Sequence, residues 1–475
     1  MARSLSRSTK LFATTLTKAN ATVGNMTTAN TYEIKVLDGY SFSQDASNIE
    51  VGVNEAGKDP VRGTLSFNTA LNPVDVSFST YVRPFDTGSA GSCVEKVLWG
   101  SAMGTATGWT NALAAGSPAT FTTTATDITF GLETSNANEL MPLTLFFVLE
   151  NTTYTIEQFN VGSAEVDFSI DGIATINWSG QGSRVSEDTA SHLIFKADGT
   201  AVSGVNYTAV PATTTTTFLR NKLSTLELVD NEVDTANTIT GITITTITPN
   251  ADGTTTLTLD AFTLAGTFTA ANYVGGRIRN TALNPDEWAT VISINDGSNT
   301  VTVKEDLSAD GLNWVTTNAV TVYAATQSSA VIYSIPITGA TLTLENNFTY
   351  LTPEELAIVN LPLGGFAGNR VTSGSFTAYL NTGAQGSGGL LQDMLAKIEQ
   401  SVSNNYQLVF HMGGSSTDTP RVDFTIAHAQ ISVPTTSVED IISTEISFTA
   451  KPWNAVANVG SFEATNELII AYEIP

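Results

Sequence analysis

The chain has 475 residues, 45 acidic and 20 basic, for a formal charge of −25 at pH 7. Charged residues make up only 14%, against about a quarter in an ordinary soluble domain, and Thr, Ser, Asn and Gly take their place. A chain this acidic, without a basic cluster, offers no footprint for gripping phosphates, which excludes stable nucleic-acid binding.

In chain order, alternating or β-branched runs bounded by Gly, Asn and Asp predict strands over 32–37, 76–82 and 143–149 and along the run 164–178. Further runs follow at 223–229, 255–259, 300–303, 331–337, 375–380, 407–412, 422–433 and 444–450. Helical periodicity appears twice, at 94–99 (Val94, Val97, Leu98) and at 390–400 (Leu390, Leu391, Met394, Leu395, Ile398), each an apolar stripe suited to a core contact. Asp-Gly pairs starting at Asp38, Asp171, Asp198, Asp252, Asp296 and Asp310 read as turns, since none lies in a full calcium-binding loop.

An internal repeat organises these elements. Residues 77–82 (SFSTYV) match 375–380 (SFTAYL) at an offset of 375 − 77 = 298. Leu145-Phe146-Phe147 lies over Leu408-Val409-Phe410, and Ala164, Val166, Phe168 and Ile170 lie over Ala427, Ala429, Ile431 and Val433, both at an offset of 263. The 35 extra residues needed in the first copy (298 − 263) fit the Thr- and Ala-rich stretch 101–139. Residues 231–330 differ in texture and read as a small β-domain inserted at a hairpin tip, where insertions are best tolerated. The expected division is a first domain over 1–182 with its N-terminal arm, a connector hairpin at 183–230 and 331–339, the insertion at 231–330, and a second domain with a C-terminal segment over 340–475. The fold class is mainly β: two tandem sandwich or barrel domains, each with one helix, plus the inserted small β-domain.

Chemistry is sparse. The single cysteine, Cys93, excludes an internal disulfide framework and a cysteine-built zinc site. His192, His411 and His428 lack ligand spacing. The carboxylate pairs Glu354 and Glu355, and Glu439 and Asp440, are better read as solvated charges than as an acid and a base. No nucleophile elbow, P-loop or dinucleotide fingerprint occurs, so neither catalytic, cofactor nor metal residues are assigned. No run of 18 apolar residues indicates a membrane span. The apolar run Leu11, Phe12, Ala13 is too short for a secretory signal, so the expected place of synthesis is a cytoplasm. Two tandem copies of one fold can fill neighbouring positions of a ring, and three such chains would close it. A carbohydrate-binding or adhesive surface protein is the alternative for an acidic, Thr-rich β-protein.

Several motifs carry a family resemblance. Asn54-Glu55-Ala56-Gly57, Arg62-Gly63, Ser66-Phe67-Asn68, Leu71 and residues 77–81 resemble the first domain of the tail tube proteins of T-five-like siphophages. Glu165-Val166, Trp178-Ser179-Gly180, Asn221-Lys222-Leu223, Ile335-Pro336-Ile337-Thr338-Gly339, Tyr350-Leu351-Thr352-Pro353 and Thr377-Ala378-Tyr379-Leu380-Asn381 continue it, over roughly 5–230 and 331–452. The resemblance implies a virion structural protein, made in the host cytoplasm and sited in the tail, whose trimeric rings stack into the conduit for DNA. It implies contacts with itself, a tape measure protein and tail tip or terminator proteins, DNA passing without specific binding, no membrane and no cofactor. The polar stretch 44–73 becomes the arm reaching the next ring, with Asn54, Glu55, Ala56, Gly57, Arg62 and Gly63 as contacts. Members of that family can carry an immunoglobulin-like module at the C-terminus; this chain places its extra domain at 231–330 instead, where it reads as a decoration facing solvent.

Overall fold

The computed structural model describes residues 9–55, 61–83, 95–103, 109–110, 120–121, 127–128, 140–149, 152–169, 172–188, 194–196, 200–209, 219–230, 234–266, 268–274, 276–282, 287–307, 314–324, 332–352, 361–381, 386–399, 405–413, 421–432, 435–437, 443–451 and 467–473. The first copy comprises β1 (Thr9–Thr14), β2 (Thr31–Ile34), β3 (Ser41–Glu55), β4 (Val61–Tyr81) and α1 (Lys96–Met103). Three two-residue strands follow, β5 (Trp109–Thr110), β6 (Thr120–Phe121) and β7 (Asp127–Ile128), and then β8 (Leu143–Leu149), β9 (Thr152–Asp167), β10 (Thr175–Gly182) and β11 (Arg184–Asp188). After β12 (Thr225–Asp230) come the strands β13 (Asp234–Pro249), β14 (Thr255–Leu259), β15 (Arg277–Asn280), β16 (Glu287–Asn295), β17 (Thr300–Val303) and β18 (Ala319–Ala324). The chain continues through β19 (Ile332–Ile335), β20 (Ile337–Glu345), β21 (Thr349–Leu351), β22 (Gly364–Phe366), β23 (Val371–Tyr379) and α2 (Ser387–Glu399). It closes with β24 (Asn405–Met412), β25 (Arg421–Ile431), β26 (Thr435–Ser437), β27 (Ser443–Ala450) and β28 (Ile469–Glu473). The mainly β class expected from the sequence is therefore observed, with one helix following the β3–β4 unit and one following β23.

The two copies are equivalent strand by strand. β1, β2, β3, β4, β8, β9, β10 and β11 have the neighbours that β12, β19, β20, β23, β24, β25, β27 and β28 have. Registers agree to the residue. Leu11 faces Ile34 and Phe147 as Leu226 faces Ile335 and Phe410, and Ser77 faces Ser41 and Ser179 as Ser375 faces Thr341 and Ser447. Even an irregularity is shared. The β8–β9 ladder slips between Leu143 and Leu145, where Gln158 adopts φ 51°, and the β24–β25 ladder slips between Tyr406 and Leu408, opposite Ala427 and His428. An extra residue of this kind bends a strand so that it can serve two sheets.

Three sequence expectations are corrected by these registers. Ile156 corresponds to Ile426 and Val166 to Thr436, both 270 apart, because Leu145 faces Ile156 as Leu408 faces Ile426, and Val166 faces Ile176 as Thr436 faces Thr444. Ala164, Val166, Phe168 and Ile170 thus do not lie over Ala427, Ala429, Ile431 and Val433; an extra residue at Gly162 changes the apolar phase of β9 and lets the wrong frame match. Residues 164–178 belong to two paired strands, β9, which ends at Asp167, and β10, which starts at Thr175. The strands read as a connector hairpin are β12 and β19, the counterparts of β1 and β2, and so open the second copy; β11, in the same connector, completes the first.

Alternation explains the packing. Along β10, Ile176 and Trp178 point inward while Thr175, Asn177 and Ser179 do not, and β20 and β27 alternate in the same way. One continuous core takes residues from both copies, from Val76, Trp178 and Val166 to Phe376, Phe410 and Ile446. Trp178 packs edge-on to Trp99 of α1 at 4.7 Å between ring centroids, and its indole N–H donates to Thr80 Oγ1 at 3.0 Å. Phe168 of the first copy meets Phe410 of the second at 5.1 Å. A satellite cluster forms where Phe195 stacks on Phe12 at 3.7 Å, covering the outer face of β1 and β8.

Strands β13-β14-β17-β16-β15-β18 close a six-stranded barrel with a core of its own, including Ile242, Leu257, Ile278, Val301 and Val322. It lies between β12 and β19, whose own pairing runs from Leu226–Ile335 to Val229–Ile332. Asp252-Gly253 forms a turn between β13 and β14, with Gly253 at φ 82°.

Trp178→Ala should destabilise the two-copy body by about 3–5 kcal/mol, the usual cost of removing a large buried aromatic, read as a lowered midpoint in chemical denaturation. Burial depresses the His428 imidazole from 6.5 to about 4. As pH falls the unfolded chain takes up this proton first, so the contribution is complete above about 6.5 and erodes toward pH 4. Urea midpoints measured across that window should decline for the native chain and decline less for His428→Gln.

Candidate assembly site

Beyond the body of the first copy, β3 and β4 run on as a two-stranded ribbon, paired from Asn48–Asn68 out to Glu55–Val61. Cross-strand pairs Ile49–Phe67, Val51–Leu65 and Val53–Gly63 share one face, while Asn48–Asn68, Glu50–Ser66 and Gly52–Thr64 share the other. The ribbon is therefore amphipathic, yet its apolar side is not covered: Leu65 is 65% and Phe67 53% exposed. A lone two-stranded ribbon is marginal in water, and this one presents an apolar face that only another surface can bury. Asn54 faces Arg62 and Val53 faces Gly63 near its tip, and Glu55 closes the ladder; Ala56 and Gly57 lie outside the described residues.

The second copy repeats the feature in shortened form. Between β20 and β23, strands β21 and β22 pair Thr349 with Phe366 and Leu351 with Gly364. Leu351, Leu361, Leu363 and Phe366 are exposed there, Leu363 at 66%. Eight of the fifteen large hydrophobics exposed among the described residues lie on these two arms, which concentrates the unburied apolar surface at equivalent points of the two copies. The base of the second arm is fixed onto the first copy. Buried Asn346 donates through Nδ2 to the carbonyls of Ala102 at 2.6 Å and Val161 at 3.1 Å, and the Tyr350 hydroxyl donates to the Gln158 carbonyl. Burial raises the pKa of that phenol, keeping it a neutral donor.

The body offers a third surface. β9 pairs with β20, setting Asp167 opposite Thr341, Glu165 opposite Thr343 and Ser163 opposite Glu345. One sheet consequently runs β3-β4-β10-β9-β20-β23-β27-β26 through both copies. On its non-core face, one row reads Ser41, Ser77, Ser179, Ser163 and Glu345; the next reads Ser79, Asn177, Glu165, Thr343, Ser373 and Thr449. Hydroxyl and amide groups tie neighbouring strands: Ser79 Oγ donates to Asn177 Oδ1 at 2.7 Å and Gln181 Nε2 to Asp75 Oδ1 at 2.9 Å. Asp75, Glu165, Asp167, Glu345 and Glu445 bring negative charge, and Arg62, out on the ribbon, is the single basic residue in these eight strands. The result is a wide polar face of one sign.

The histidines and carboxylates considered from sequence form no comparable site. His411 Nδ1 lies 2.8 Å from Asp423 Oδ1, and Nε2 lies 3.7 Å from Glu227 Oε2, on the outer face of β12, β24 and β25. These positions correspond to Val148, Thr153 and Phe12, which the Phe195 segment covers in the first copy. In the second copy Asp423 is buried and His411 only 13% exposed, each facing the other through the Nδ1–Oδ1 contact, while Glu227 reaches solvent. Among the described residues no group of three His, Cys, Asp or Glu side chains could hold a metal ion. Cys93, His192, Glu354, Glu355, Glu439 and Asp440 lie outside the described residues. The stretch 44–73 singled out in the sequence contains the β3–β4 ribbon; its counterpart between β20 and β23 is not singled out there, its signal being Leu361, Leu363 and Phe366 clustered about Gly364-Gly365.

No family model matches the chain. Over 461 residues it is 24% identical to the "Tail tube protein pb6" of Escherichia phage T5, an alignment covering 95% of this chain and 73% of that protein. No helix among the described residues is long and apolar enough to cross a membrane. Along nearly its whole length, the chain is thus similar to a bacteriophage tail tube protein of the T5 kind, the family that its motifs resemble.

Proposed function

We propose that this chain is the structural subunit of a siphophage tail tube in the virion, that three chains close a pseudo-hexameric ring, and that stacked rings conduct DNA from capsid to host. The observation that carries the reading is the β9–β20 ladder, through which one chain already forms two adjoining wedges of a single wall. Each chain contributes eight strands to that wall, so three chains contribute twenty-four. The Ser, Thr and carboxylate face would line the lumen. Its hydroxyls keep it wetted, and the near absence of Lys and Arg leaves a phosphate backbone nothing to bind, so DNA passes without sticking. The reading is of an assembly component, not an enzyme.

Stacking falls to the arms. The apolar side of the ribbon, carrying Ile49, Val51, Leu65 and Phe67, would dock on the adjacent ring, with Asn54, Glu55, Ala56, Gly57, Arg62 and Gly63 forming the tip contacts. The tape measure protein within the tube, and tail tip and terminator proteins at its ends, complete the expected partners. The barrel, together with its immediate flanks over 231–330, stands as an external decoration.

Negative-stain microscopy and native mass measurement of the purified protein test this reading, with three-chain rings and tubes expected; a persistent monomer at high concentration overturns it. The double substitution Leu65→Asp and Phe67→Asp should leave the unfolding free energy of the unassembled chain within about 0.5 kcal/mol, as exposed substitutions do, yet abolish tubes. Deleting residues 54–62 should likewise leave monomers or single rings. Tubes of normal length from both variants would assign stacking elsewhere.

A further inference from the structure

Among the described residues, two strand edges of the wall are unpaired within one chain: the outer edge of β3, which pairs there only with β4, and that of β26, which pairs there only with β27. We infer that these edges join neighbouring chains in one defined antiparallel register, with Ser437 opposite Ser41, Thr436 opposite Phe42 and Thr435 opposite Ser43 of the next chain. This rests on the ring reading above and specifies its chain-to-chain contact.

The register follows from the junction inside the chain. There, Asp167, Val166 and Glu165 of β9 face Thr341, Leu342 and Thr343 of β20. Asp167 faces Thr175 as Ser437 faces Ser443, and Glu165 faces Asn177 as Thr435 faces Glu445, which makes 435–437 the counterpart of 165–167. Thr341 faces Ser375 as Ser41 faces Ser77, which makes 41–43 the counterpart of 341–343. Repeating the internal junction between chains therefore leaves no freedom of register. Phe42 is held against the core by the β3–β4 pairing of its own chain, so a slip by one residue would put the pleats of the two edge strands out of phase and set it beside a residue of the opposite face.

Hydrogen-bond direction adds a second constraint. Even-numbered residues of β9 turn their backbone groups toward β20: Phe168 N–H donates to the Ala340 carbonyl at 3.0 Å, and the Gly162 carbonyl accepts from Asn346 N–H at 2.8 Å. Thr436 and Phe42 should accordingly exchange both backbone bonds. In sequence Pro434 precedes β26 and has no N–H to give.

Ser41–Ser437 and Ser43–Thr435 are then non-hydrogen-bonded pairs, the closely spaced kind, with Cα atoms about 4.5 Å apart, within disulfide reach. In a Cys93→Ser background, Ser43→Cys with Thr435→Cys, and separately Ser41→Cys with Ser437→Cys, should give covalent dimers and trimers on copper-phenanthroline oxidation of assembled protein. These would be read on non-reducing gels and reversed by thiol. The displaced pair Ser41→Cys with Thr435→Cys should cross-link at least tenfold less. Rings that form normally but cross-link at neither matched pair, or equally at the displaced pair, overturn the register while leaving the ring intact. Failure of the Cys93→Ser parent to form rings overturns both.

Discussion

The five-residue ladder between β9 and β20 is the interaction on which the rest of this structure depends. Backbone hydrogen bonds are obligatory for buried strands, and here they carry the sheet from one copy to the next without an intervening edge. Because the pleat alternates side chains strictly, the same ladder puts core residues of both copies on one side and hydroxyls and carboxylates on the other. The single core, running from Trp178 through Phe168 to Phe410, is a consequence: two sheets joined in register must share whatever lies beneath them.

Equivalence of the copies extends to irregular details, and its exceptions show which constraints are local. The bend at Gln158 recurs at His428 because each long strand must leave one sheet and enter another. The outer face of β1 and β8 carries Phe12 and Val148 under the segment bearing Phe195, whereas its counterpart carries Glu227, His411 and Asp423, of which His411 and the buried Asp423 contact each other at 2.8 Å. Duplicated domains diverge where their surroundings differ, and these surroundings differ on the outside.

Much of this was legible in the sequence. The match of residues 77–82 with 375–380 located the strand that anchors each copy, and Leu145-Phe146-Phe147 over Leu408-Val409-Phe410 located another. The match failed at Ala164 because an extra residue at Gly162 shifts the apolar phase of β9 from Phe159 and Val161 to Ala164 and Val166, so a displacement of seven still set apolar on apolar; the seven extra residues fall between Met412 and Val422. The strands β12 and β19 read as a connector since the barrel separates them by a hundred residues in sequence though not in space. The long arm was visible as a stretch too long for a simple turn, but its amphipathic character emerges only when Ile49 is set beside Phe67 and Val51 beside Leu65.

The barrel occupies the β12–β19 hairpin, a position that in the first copy holds only the sixteen residues 15–30 between β1 and β2. A wall with near-sixfold regularity on its inner side would therefore be ornamented on alternate wedges alone. Anything gripping the exterior of such a ring would meet a threefold pattern, and with it a means of telling one rotational setting from its neighbour that the channel would not provide.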